Sequence, residues 1–297
     1  MRILVTGASG LLGTKVCQLG ICKGFEVYSG YKQHKPQKGI PLQLDLSQRN
    51  KIGKIFDKIQ PEAVVHAAAM TNVDKCELEK RLSWRINVEG TQTIVKACKK
   101  HRSFMVYVST DYVFDGDRGM YTESDQVNPI NYYGLTKLMG EESVRNIIRH
   151  VCIARTSVIY GSIPATGKTN FALWLLDKLR KREKVQIVTD QTNSPTLNTN
   201  LAEMILEILE RKLCGTYHLA GGSRLSRYEF AITFAKIFDL DASLIDPCTS
   251  DEISWIAKRP KDSSLNVEKA MQTLESKPMV IDEAMEKMKS SGTFFSC

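Results

Sequence analysis

Short apolar runs alternate with longer amphipathic stretches along the first half of this chain. Arg2-Ile3-Leu4-Val5-Thr6 has strand length, and a helical run follows to about Cys22. Phe25 to Ser29 predicts a second strand, Leu42 to Leu46 a short one with Asp45 near its end, and a helix follows from Ser47. Ala63-Val64-Val65-His66-Ala67-Ala68-Ala69 is apolar at nearly every position, as a parallel strand buried on both faces requires. A helix near Asn87 to Lys100, a strand at Phe104 to Val108, a helix from about Tyr132 and a strand at Cys152 to Thr156 complete the series. The alternation predicts an α/β fold, a Rossmann-type doubly wound parallel sheet covered by helices.

Beyond residue 156 the pattern loosens. It predicts helices at Phe171 to Arg182, Asn200 to Lys212 and Ser226 to Phe238, with short strands at Lys184 to Thr189 and Thr216 to Leu219. Pro247, Pro260 and Pro278 break the tail. Residues 1–156 with about 185–222 are expected to form the dinucleotide-binding domain. About 157–184 with 223–297 are expected to form a smaller C-terminal substrate-binding lobe over the strand carboxyl ends.

Composition narrows the partners. Of the 297 residues, 42% are hydrophobic, enough for a substantial core, and no window approaches the length of a membrane span. The first seven residues carry too short an apolar run for a signal peptide. Eight cysteines lie scattered without C-x-x-C spacing or a histidine pair, which reads as free thiols in a reducing compartment, no metal site and a cytoplasmic location. The net charge of +8 raises nucleic acid as a partner, but the basic clusters are short and sit at predicted helix ends, where they complement the dipole. No nucleic-acid-binding motif accompanies them.

The first candidate chemistry lies at Gly7-Ala8-Ser9-Gly10-Leu11-Leu12-Gly13, straight after the first strand. Glycines there let backbone N–H groups approach a pyrophosphate at a helix N-terminus. The spacing is G-x-x-G-x-x-G, a variant of the usual dinucleotide fingerprint. After the second strand the chain reads Gly30-Tyr31-Lys32-Gln33-His34-Lys35, with no acid between Glu26 and Asp45. Lys32 without a competing carboxylate suits a 2′-phosphate, so NADPH is expected, with NADH the other candidate. Small residues at Ala67, Ala68 and Ala69 would let a flat cofactor pass over the strand end, although helix packing asks for them equally. His66 reads as a core histidine.

The second candidate joins Ser109 and Thr110, at the end of the Phe104 strand, to Tyr133 and Lys137 on one helix face. A phenol with a reference pKa near ~10 beside an ammonium is a proton-transfer pair, the charge favouring phenolate. Y-x-x-x-K alone recurs by chance on many helix faces; the glycine turn upstream gives it weight.

With these residues, the chain resembles the extended short-chain dehydrogenase/reductase family, and within it the dTDP-4-dehydrorhamnose reductases. The matching stretches include T-G-A-S-G-L-L-G at 6–13, H-A-A-A-M-T-N-V-D-K-C-E at 66–77 and V-S-T-D-Y-V-F-D-G at 108–116. Y-Y-G-L-T-K at 132–137, R-T-S-V-I-Y-G at 155–161, D-Q-T-N-S-P-T at 190–196 and R-P-K-D-S-S-L-N at 259–266 match as well. The resemblance implies that Thr110 holds a substrate carbonyl, that Tyr133 donates the proton, and that Lys137 holds the nicotinamide ribose. It implies that Gly10, Leu11 and Leu12 line the pyrophosphate, that Asp45 and Leu46 lie near the adenine, and that Ala69, Met70 and Thr71 run along the cofactor. It also implies that Val73, Asp111 and Tyr112 face the sugar of a nucleotide-sugar substrate. One departure is Val158, which stands where these reductases carry a tryptophan against the deoxysugar. The implied activity is NADPH-dependent reduction of dTDP-4-dehydrorhamnose in dTDP-rhamnose biosynthesis. The chain is similar, too, to the regulatory β subunit of methionine adenosyltransferase, which implies an NADP-holding binding partner instead. A nucleotide-sugar epimerase is a third reading. A homodimer is compatible with each.

Overall fold

The computed structural model describes residues 1–164 and 169–291. Its first half is built from β1 (Arg2–Thr6), α1 (Leu11–Cys22), β2 (Glu26–Tyr31), β3 (Ile40–Gln43), α2 (Arg49–Ile59) and β4 (Ala63–His66). There follow α3 (Val73–Leu78), α4 (Lys80–Trp84), a π-helical turn at Arg85–Gly90, α5 (Thr91–His101), β5 (Phe104–Thr110), α6 (Tyr132–Ile147) and β6 (Val151–Thr156). Seven parallel strands form one sheet in the order β3-β2-β1-β4-β5-β6-β11, with β11 at Gly215–His218. Every residue of β4, β5 and β6 is buried, which is why these strands read as unbroken apolar runs. One face packs Val5, Val65, Val106 and Ala154 against Val16 of α1 and Ile205 and Leu209 of α8 (Asn198–Arg211). The other face packs Leu4, Val64, Met105 and Ile153 against Phe56, Ile94 and Val144. The doubly wound sheet is as the periodicity predicts.

Several boundaries differ from the sequence reading, three of them near the site. The third strand ends at Gln43, because the Asp45 carboxylate turns the chain by accepting from the Ser47 N–H and hydroxyl, both at 2.8 Å. The helix after it starts at Arg49 and not at Ser47. Helical structure ahead of α5 begins at Val73 and passes through the π-helical turn, which holds Asn87.

The remaining described elements are β7 (Ile159–Tyr160), α7 (Phe171–Arg180), β8 (Val185–Val188), β9 (Thr192–Asn193), β10 (Thr196–Leu197), β12 (Leu225–Ser226) and α9 (Arg227–Ile237). The chain closes with β13 (Ile245–Cys248), α10 (Glu268–Thr273) and α11 (Ile281–Ser291). Leu175, Leu179, Phe230, Phe234, Ile245 and Met285 build a second apolar cluster. The predicted division needs redrawing at two places. β8 pairs with β13 and buries Val185 and Ile187 in the second cluster, away from the seven-stranded sheet. Ala270 and Leu274 pack instead with the sheet core. Pairing of strands 60 residues apart decides the first and packing of α10 against β11 the second, and local periodicity carries no trace of either.

Candidate active site

The C-terminal ends of the central strands open into a cavity of about 860 Å³. α6 supplies one wall. Its start is set by Asn131, whose side chain accepts from the Gly134 N–H at 2.9 Å while its amide donates to the Lys258 carbonyl. From that cap Tyr133 and Lys137 lie one turn apart, and both line the cavity. Thr110, the last residue of β5, brings its hydroxyl against the Tyr133 phenol. Lys137 Nζ donates to the Val108 carbonyl at 2.7 Å and sits 4.1 Å from the centre of the Tyr107 ring.

Burial governs the electrostatics here. It lowers the Lys137 pKa to about 7, against the pull of Glu141. It also raises the Tyr133 phenol well above its ordinary value, and the Thr110 hydroxyl is the group that opposes it. The sequence reading expected the lysine to favour phenolate; in this cleft burial outweighs that, and Tyr133 keeps its proton at neutral pH. Glu141 is fully buried one turn beyond Lys137. Burial alone would raise it, but Arg155 (Nε 3.0 Å, Nη2 2.8 Å) and the Ser109 hydroxyl (2.6 Å) hold it below the carboxylate range.

At the other end of the cavity lies the glycine turn. Gly7 has φ +71°, and a Cβ there would stand 2.9 Å from the Ala68 backbone. A Cβ on Gly13 would come within 2.2 Å of the Gly7 carbonyl. The bare backbone at Gly7, Gly10 and Gly13 therefore makes a cradle at the N-terminus of α1, and Leu11 and Leu12 line it. Ala68, Ala69, Met70 and Thr71 form the floor between this turn and Tyr133. Lys32, Asp45 and Leu46 close the far end. Contrary to the expectation from the sequence, a carboxylate does compete for Lys32, since Asp45 Oδ2 lies 3.5 Å from its Nζ. The two are distant from each other in the strand pattern and meet only because β2 and β3 pair.

Val73, Tyr112 and Val158 line the same cavity, as do Asn170, Phe171 and Arg227. Tyr112 stands edge-on to Tyr133, ring centres 6.1 Å apart; burial raises its phenol pKa and the nearby Arg227 charge opposes that. Asp111 reaches the wall, but its oxygens are occupied by the hydroxyls of Thr110, Ser157 and Ser263. The structure thus brings every nominated residue to one cavity. Asn170 and Phe171 match the family as a stretch at 170–171 but take no role in the sequence reading, and Arg227 escapes it, because only tertiary packing carries α7 and α9 to the sheet end.

Sequence reasoning also missed a buried relay behind the floor. The Asn87 side chain accepts from the Met70 N–H at 2.8 Å and donates to the Met70 carbonyl and the Thr136 hydroxyl, both at 3.0 Å. Thr136 in turn donates to the Tyr133 carbonyl at 2.8 Å. Thr91 donates to the Asn87 carbonyl at 2.7 Å, so the His66 Nε2, 3.0 Å from Thr91, must be the donor there and Nδ1 the acceptor from Thr6. His66 is fully enclosed and its pKa falls to about 3, by burial first and then by Lys137, so it stays neutral. It is the core histidine the sequence suggested, whereas nothing in the local sequence marked Asn87, which lies on the π-helical turn.

Fold and cavity wall together are those of the extended short-chain dehydrogenase/reductase class. Within that class the chain belongs to the RmlD substrate binding domain family, whose model matches residues 1–292. A dTDP-4-dehydrorhamnose reductase from Aggregatibacter actinomycetemcomitans is 30% identical over 304 residues, covering 97% of this chain and 98% of that one. A crystal structure of the dTDP-4-dehydrorhamnose reductase of Bacillus anthracis in complex with NADP superposes with a TM-score of 0.88 at 29% identity, covering 98% and 99% of the two chains. Methionine adenosyltransferase 2 subunit beta of Rattus norvegicus is 29% identical over 280 residues, 92% of this chain and 82% of that one. Among the described residues no helix is long and apolar enough to cross a membrane.

Proposed function

We propose that this protein is an NADPH-dependent reductase of a nucleotide-linked 4-keto-6-deoxy sugar, turning dTDP-4-dehydrorhamnose into dTDP-L-rhamnose. One observation carries the reading: a single cavity runs from the glycine cradle at Gly7, Gly10 and Gly13 to the wall formed by Thr110, Tyr133 and Lys137. The cradle suits a pyrophosphate because its glycines let the turn close tightly against Ala68 and set the N-terminus of α1 at the cavity, and Lys32 offers a cation to a 2′-phosphate. Bound there, a reduced nicotinamide supplies the hydride. Lys137, one turn from Tyr133, holds the ribose hydroxyls. Thr110 and Tyr133 hydrogen-bond the substrate carbonyl oxygen, and Tyr133, which keeps its proton until oxygen develops charge, then transfers it. Arg227 and Tyr112 hold the substrate on the side of the second lobe.

The test is NADPH oxidation by the purified protein with enzymatically made dTDP-4-dehydrorhamnose. Turnover is the expected result. The likeness to methionine adenosyltransferase 2 subunit beta sets the competing reading, a regulatory partner that retains NADP. Co-purification with the host's methionine adenosyltransferase, with no turnover across several 4-keto sugars, would select it.

A further inference from the structure

Asp111 stands where three separate parts of the chain meet, and it is 3% exposed. Its Oδ1 accepts from the Thr110 hydroxyl at 3.0 Å. Its Oδ2 accepts from Ser157 Oγ at 2.7 Å and from Ser263 Oγ at 2.6 Å. Thr110 ends β5, Ser157 follows β6, and Ser263 belongs to the C-terminal segment, anchored by its N–H to the Thr192 carbonyl at 3.0 Å. The residue after Ser157 is Val158, at φ +30°, a left-handed backbone that strains a β-branched side chain. The Val158 carbonyl is held from the far side by the Thr196 N–H at 3.1 Å.

We propose that Asp111 is a positioning residue whose buried carboxylate ties the Thr110 hydroxyl to the strained turn at Val158, and that it does not contact the sugar. A threonine hydroxyl has one proton, and a carboxylate can only accept. With its proton on Asp111 Oδ1 and the Tyr112 N–H donated to Oγ1 at 3.2 Å, the Thr110 hydroxyl is fixed in place at the cavity wall, and it turns that proton to the carbonyl oxygen when the substrate arrives. The Oδ1 arm therefore sets the hydroxyl beside the reacting group. The Oδ2 arm sets Ser157, and through it the Val158 wall of the substrate end. One carboxylate thus keeps the reaction wall and the binding wall in register. The kinetic consequences rest on the reductase reading; the structural tie does not.

Two variants separate the arms. Asp111→Asn keeps one carbonyl oxygen for the two serines and turns its amide on Thr110, where it can only donate. It should lower kcat by about tenfold or more while the KM for the keto sugar stays within about twofold. Ser157→Ala cuts the other arm and should raise KM by about fivefold, with kcat within about twofold. NADPH affinity, read by fluorescence titration, should change less than about twofold in both. A rise in KM at unchanged kcat in Asp111→Asn is the signature of a direct sugar contact and overturns the proposal. So does a wild-type KM in Ser157→Ala. If the wild-type protein reduces no keto sugar, the reductase reading falls and thermal unfolding still reads the tie. Val158→Gly removes the strain, so Ser157→Ala should then lower Tm less than it does in the wild-type background. Equal drops in the two backgrounds would mean that the serine restrains nothing.

Discussion

Lys137 Nζ donates to the Val108 carbonyl at 2.7 Å, which seats an ammonium in the interior one helical turn from Tyr133. Burial brings its pKa down from 10.5 to about 7. Between those values the unfolded chain binds a proton at this lysine that the folded chain does not. The contribution of this group to stability therefore rises with pH through that window, and its penalty is complete below about pH 7. Lys137→Met should accordingly gain stability relative to wild type, and by more at pH 6 than at pH 10. Urea unfolding at the two pH values measures this, and a pH-independent difference would show that the lysine does not titrate there.

On the proposed mechanism Tyr133→Phe removes the proton donor and little else, since the ring and its edge contact with Tyr112 remain. Turnover should fall by a factor on the order of 10² or more, with NADPH affinity nearly unchanged. A variant that retained most of its turnover would assign the proton to another group.

The 3.5 Å approach of Asp45 to Lys32 moderates the preference for NADPH. Burial pushes the Asp45 carboxyl up, but the two bonds from Ser47 and the charge of Lys32 hold it below its ordinary range, so it competes as an anion at neutral pH. Asp45→Asn should tighten NADPH relative to NADH by a factor of about two to five, the worth of a half-exposed charge pair. Lys32→Glu should reverse the preference. Paired titrations with both cofactors decide it, and a Lys32→Glu protein with undiminished NADPH affinity would remove Lys32 from the site.

Gly13→Ala places a Cβ 2.2 Å from the Gly7 carbonyl and 2.8 Å from the Ala8 Cα, so the turn must open. The expected result is a loss of about 1–3 kcal/mol in stability together with weakened NADPH binding. Gly53→Ala is the contrast. Its Cβ meets nothing within 4 Å on α2, and the change should stabilise the fold by about 0.5–1 kcal/mol. Chemical denaturation of both variants measures the difference.

Much of this protein was legible in one dimension. Strand length, full burial at Ala63–His66 and Phe104–Thr110, the glycine turn after β1 and the i,i+4 pair Tyr133 and Lys137 are local patterns, set by backbone geometry within a few residues. They sufficed for the doubly wound sheet and for the residues lining its carboxyl edge. Tertiary structure alone decided three other matters. It set Asp45 against Lys32, though no acid lies near Lys32 along the chain. It carried Arg227, Asn170 and Phe171 to the cavity. It also spent the Asp111 carboxylate on hydroxyls 1, 46 and 152 residues away. The pKa values of Lys137 and Tyr133 belong with these, because burial overrode the charge effect that their spacing suggested. Periodicity records which way a residue faces on its own element; what it meets there depends on which elements pack together, and that is settled only when the whole core closes.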